Sequence, residues 1–78
     1  MEYNRLVWEI AQDIKADWKK PYFGAVPYLE AMAYLETPTQ NYGMDSGKSI
    51  ILYFLSNAQT WRGEKARQIK AELKAMVK

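Results

Sequence analysis

The chain has 78 residues, 49% of them hydrophobic, a formal net charge of +2, and neither His nor Cys. That length allows one domain at most, and so small a domain hides only about 60% of the surface its unfolded chain exposes. The composition argues against disorder and removes disulfides, thiolate chemistry and, in practice, structural zinc. A charge of +2 is too small to imply a nucleic-acid partner by itself.

Tyr3, Leu6, Val7, Ile10, Ala11, Ile14 and Trp18 recur at three- and four-residue spacing, which is one face of a helix. Pro21 limits that helix, because the residue before a proline is pushed out of helical geometry. A first helix is therefore predicted over about residues 2–19. Pro21 to Pro27 is a connector, and Pro27 suits the first turn of the next helix, where its missing N–H costs nothing. Tyr28, Leu29, Met32, Ala33 and Leu35 give the second stripe, so a short helix is predicted over about residues 26–36, ended by Thr37-Pro38.

Thr37 to Gly47 is rich in turn formers and reads as the main loop, with Tyr42 and Met44 expected to pin it to the body. Ile50-Ile51-Leu52-Tyr53-Phe54-Leu55 has strand propensity. It does not alternate, however, and no partner strand is visible. The reading is a central helix, over about residues 47–57, capped by Asp45 or Ser46 and the most buried of the set. Thr60 is expected to cap a last helix over about residues 61–77, whose stripe is Ala66, Ile69, Leu73, Met76 and Val77. The fold class is thus all-α, a compact bundle of about four helices forming a single domain over residues 1–78. Ile10, Ile14, Trp18, Ile51, Phe54, Leu55, Ile69 and Leu73 are its expected core.

The charges are ordered. Glu9, Asp13 and Asp17 form an acidic line on the first helix, and Arg67, Lys70, Lys74 and Lys78 form a basic line on the last. The two ridges either face each other, face water, or, for the basic one, meet phosphate. The last two helices and Asn57-Ala58-Gln59-Thr60 between them resemble a helix-turn-helix. In that reading Arg62, Lys65, Arg67, Lys70 and Lys74 contact nucleic acid, with Gln68 near base edges and Glu64 opposing.

Gly43-Met44-Asp45-Ser46-Gly47-Lys48-Ser49 approaches a phosphate-binding loop but has three residues between its glycines where four are needed, and no strand precedes it. Nucleotide hydrolysis is rejected. A weaker possibility is an anion held by Lys48 and free N–H groups at the start of the third helix. Asp45 lacks the further acidic ligands of a calcium loop. Without His, the commonest general base is missing, and a solvated line of carboxylates lacks the desolvation that raises a pKa. No enzyme activity, metal or cofactor is expected.

Three Trp, six Tyr and two Phe are many for this length. Trp18 is expected in the core. Trp8 lies off the stripe of the first helix, Trp61 away from that of the last, and Tyr22 and Phe23 in a connector. They either close the edges of a small core or form a partner-binding patch, since exposed Trp, Tyr and Arg dominate interface hot spots. The expected protein-binding surface is Trp61 and Arg62, with Trp8 or Tyr42 nearby, and a symmetric homodimer is a third possibility. Lack of cysteine staples points to the cytoplasm, the opening residues lack a signal-peptide pattern, and no apolar run is long enough for a bilayer, so no membrane partner is expected.

The segment from Tyr53 to Leu73, together with Pro27-Tyr28-Leu29-Glu30-Ala31-Met32 and Tyr42-Gly43-Met44-Asp45, resembles small hypothetical proteins carried by phages and conjugative elements of gut bacteria. The resemblance implies a bacterial cytoplasmic setting and an accessory role. It carries no activity and no functional residue.

Overall fold

The computed structural model describes residues 5–77. Its elements are helix α1 (Val7–Asp17), helix α2 (Val26–Met32), strand β1 (Asn41–Tyr42), strand β2 (Asp45–Ser46), helix α3 (Gly47–Ser56) and helix α4 (Glu64–Met76). The protein is thus essentially all-α, and the one sheet among the described residues is a two-residue antiparallel hairpin pairing Asn41 with Ser46 and Tyr42 with Asp45. The part of the first helix expected before Arg5, with Tyr3, lies outside the described residues, as does Lys78 of the basic line.

The apolar stripes converge on one core. Val7, Ile10, Ala11 and Ile14 of α1, Leu29 and Met32 of α2, Ile50, Ile51 and Phe54 of α3, and Ala66, Ile69 and Leu73 of α4 are all buried. Of the expected core, only Leu55 stays partly exposed. The core ends in an aromatic cluster. Trp18 stacks on Trp61 at a centroid distance of 5.7 Å and 12° between planes, and Phe54 meets both rings edge-on at 6.3 and 6.4 Å. Such offset and edge contacts each stabilise by about 0.5–1.5 kcal/mol beyond the area they bury.

α2 and α3 begin where expected, at Val26 and Gly47, and the helix ends that differ most do so for a physical reason. α1 stops three residues before Lys20, because Trp18 turns to extended geometry (φ −95°, ψ 90°) and so reaches its place against Trp61. Leu6, the N-cap, has no side-chain acceptor, so α1 is started from elsewhere. Glu9 accepts from the Leu6 N–H at 3.0 Å, and the Glu36 and Leu35 carbonyls accept from the Val7 and Trp8 N–H groups, both at 2.9 Å. Those carbonyls are available because α2 ends early. After Met32 the chain tightens into i to i+3 bonds through Tyr34 and Leu35, and Leu35 is buried.

The loop after α2 is tied to α3. The Gly47 N–H donates to the Gln40 carbonyl at 2.6 Å, the Lys48 N–H to the Pro38 carbonyl at 2.9 Å, and the Ser49 N–H to Ser46 Oγ at 3.1 Å. Ser46 is therefore the N-cap, one of the two residues expected. Gly47 is required here, since a Cβ would lie 2.9–3.1 Å from three backbone carbonyl oxygens. Tyr42 and Met44 do not pin the loop. They are 44% and 101% exposed, and backbone hydrogen bonds hold it instead.

α3 buries Gly47, Ile50, Ile51 and Phe54 and leaves one face open. Leu52 and Tyr53 point outward. Thr60 does not cap α4, which begins at Glu64 after Gly63, whose φ of 115° only glycine adopts without strain.

Candidate functional site

The start of α4 decides most of the expected site. The connection from α3 runs from Asn57 to Gly63, longer than the three- to four-residue turn of a helix-turn-helix. Within it Trp61 folds inward and is only 2% exposed. Its indole N–H donates to Asp17 Oδ2 at 2.9 Å, and its carbonyl accepts from Lys70 Nζ at 2.7 Å. A contact surface centred on an exposed Trp61 therefore does not exist. Arg62 alone of that pair faces solvent.

The other candidates separate. Trp8 is half-buried on α1, and its backbone is hydrogen-bonded to Leu35. Tyr42 is on the hairpin, its ring 6.0 Å from that of Tyr34. Trp8 and Tyr42 thus belong to the region around the exit of α2, while Arg62 lies in the connection that leads into α4.

Tyr34 was not among the expected site residues, yet it is 75% exposed. The signal was present, since Tyr34 falls beside Leu35 but off the Leu29–Met32 line. Met44, at the tip of the hairpin, joins it as a large exposed apolar side chain. Two further aromatic pairs lie on the outside: Tyr22 with Phe23 at 4.8 Å, and Tyr28 with Tyr53 at 5.4 Å. Among the described residues, the exposed large apolar side chains other than Leu6 all fall between Tyr22 and Tyr53.

Among the described residues, the charged lines do not pair with each other. Glu9 holds the start of α1, and Asp17 accepts from Trp61. Asp13 pairs with Arg5, whose guanidinium also forks onto Glu72 of α4 at 2.8 and 3.1 Å. Arg5 is the clamp between α1 and α4, and it belongs to neither ridge. The Glu72 and Asp13 hydrogen bonds raise the Arg5 pKa, and Arg5 in turn holds the Asp13 carboxyl below the ordinary carboxylate range, helped by the charge of Lys65.

On the basic line, Arg67 pairs with Glu64 within α4, and Glu64 also accepts from Gln68 at 3.2 Å. Lys65 and Lys74 are exposed. Lys70 lies half-buried with its ammonium 5.9 Å from the Trp61 ring centroid, and burial, followed by the charges of Lys74 and Arg62, lowers its pKa. The anion reading at the start of α3 fails, because the Gly47, Lys48 and Ser49 N–H groups all have acceptors within the fold.

No protein-family model, curated protein or solved structure matches the chain. No helix among the described residues is long and apolar enough to cross a membrane.

Proposed function

We propose that this chain is a small, non-enzymatic protein-binding module, and that its contact surface is centred on Tyr34, Tyr42 and Met44. The observation that carries the reading is the exposure of these three side chains, 75%, 44% and 101%, on a backbone held by hydrogen bonds. Rigid aromatic groups lose little entropy on docking, and exposed Tyr is enriched at interface hot spots. The hairpin turn, with Gly43 at φ 64°, sets Met44 outward without ordering by the partner. The resemblance to small proteins of mobile elements supports an accessory role in a bacterial cytoplasm.

The test is site-specific photo-crosslinking in cells of the source. A photoreactive phenylalanine analogue at position 34 is expected to give one dominant adduct with a protein partner. The same group in place of Lys15, exposed on α1, is expected to give none. An adduct of twice the chain mass would make the partner a second copy. Equal labelling from both positions, or none from position 34, would overturn the proposal.

A further inference from the structure

A second surface is independent of the aromatic one. The connection before α4 and the first two turns of that helix border an open groove of about 450 Å³. Buried Trp61 and Ala66 supply its apolar part, and Arg62, Arg67 and Lys70 its charged part. Lys74 lies one turn beyond Lys70 on the same helix.

The charges here are unbalanced. Among the described residues the ion pairs are Arg5 with Asp13, Arg5 with Glu72, and Arg67 with Glu64. The carboxylate lining the groove, Glu64, is thus engaged by Arg67, and among the described residues no acid pairs with Arg62, Lys70 or Lys74. An ammonium carries three donors, and the Trp61 carbonyl takes one of those of Lys70. Lys70 is half-buried, and Arg62 and Lys74 are near enough for their charges to act on it. Like charges gathered around a partly desolvated ammonium raise its energy, and an anion among them lowers it.

We propose that this groove holds a phosphate group. A phosphate offers several acceptor oxygens and up to two charges, which fits the guanidinium fork of Arg62 and the ammonium of Lys70 in the groove, with Lys74 adding its charge one turn beyond, better than a single carboxylate does. The phosphate comes either from a nucleic-acid backbone or from a free small anion, and the two are separable. The inference does not rest on the aromatic surface, so the failure of one leaves the other standing.

The experiment follows backbone and indole N–H resonances of the full chain while pyrophosphate, or a random-sequence DNA duplex, is added at constant ionic strength. The Trp61 indole N–H is a reporter inside the fold, because it is bonded to Asp17 while Lys70 lies over its ring. Saturable shifts confined to Arg62, Lys70, Lys74 and Trp61 are expected. Saturation by pyrophosphate identifies a free anion, and saturation by duplex alone identifies a phosphodiester backbone.

Arg62→Gln with Lys74→Gln is the chosen variant, since both side chains are exposed and the fold does not depend on them. It is expected to weaken binding about tenfold or more, from the loss of two charge-assisted contacts. Shifts spread over all the lysines, including Lys15, Lys19 and Lys20, would overturn the proposal. So would binding that survives the double substitution. A hexaglutamate peptide that binds the same residues more tightly than either phosphate would replace it with an acidic protein ligand.

Discussion

The two sides of this protein use the same kinds of residue in opposite ways. Where α1 meets α4, polar atoms are tied down across the helices: Arg5 bridges Asp13 and Glu72, Asp17 accepts from Trp61, and Lys70 donates back to the Trp61 carbonyl. There the large rings are inside. On the outer face of α2, the hairpin and α3, backbone hydrogen bonds hold the loop and the rings of Tyr34, Tyr53 and Phe23 remain in water, while Phe54 of α3 packs inward on the Trp18–Trp61 pair. An aromatic ring is thus a stabilising element on one side and a free surface on the other. The difference lies in what its neighbours supply. A buried indole needs a partner for its N–H, and Asp17 provides one.

The sharpest way to break this comparison is to truncate one ring from each side. Trp61→Ala is expected to cost about 3–5 kcal/mol, the range for removing a buried Trp or Phe. A chain of this length has roughly 4–12 kcal/mol of stability in all, so this variant is largely unfolded at moderate urea. Tyr34→Ala, 75% exposed in the native protein, is expected to stay within about 0.5 kcal/mol. Urea unfolding followed by far-ultraviolet circular dichroism measures both. Similar midpoints for the two variants would mean that the Trp18–Phe54–Trp61 cluster does not hold the core.

A smaller effect tests whether the aromatic side is rigid. Gly47→Ala places a methyl group 2.9–3.1 Å from the carbonyl oxygens of Pro38, Thr37 and Gln40, all backbone atoms that cannot swing away. The expected cost is about 1–3 kcal/mol, as for other overpacked sites. Hydrogen exchange at the Gly47 and Lys48 amides, whose acceptors are those of Gln40 and Pro38, is expected to speed up in the variant ahead of exchange in α1. Unchanged protection would show that the hairpin already moves independently of α3.

Much of the fold was legible because it is written in local periodicity. Ile10 and Ile14, Ile51 and Phe54, and Ile69 and Leu73 repeat at helical spacing, and all are buried. Ser46 was legible as a cap because its oxygen needs only the N–H three residues on. Trp61 was not, because a stripe drawn from a helix beginning at residue 61 places it off the buried line. The helix begins at Glu64, so Trp61 is not helical, and its position is set by Trp18 and by Asp17, 44 residues away. Arg5 was missed for a similar reason, since Glu72 lies 67 residues along the chain. Tyr34 is the intermediate case: it was visibly off its stripe, but the early end of α2 that leaves it exposed depends on the Val7 and Trp8 amides.

The smallest expected effect concerns the seam between α1 and α4. Arg5 holds the Asp13 carboxyl below its ordinary pKa of about 3.9, first through their hydrogen bond and then through charge. A carboxyl whose folded pKa is depressed contributes stability that is present above the unfolded value. That contribution is lost as the pH falls through the folded value. Both side chains are 39% exposed, so screening keeps it below about 1 kcal/mol. Urea midpoints of the native protein and of Asp13→Asn should therefore differ most above the unfolded carboxylate value of about 3.9 and converge as the pH falls below it through the lower folded value. A constant gap between the two curves would mean that Asp13 acts through packing. In that case Glu72, which takes two of the Arg5 hydrogen bonds, would be the residue that fixes α4 against α1.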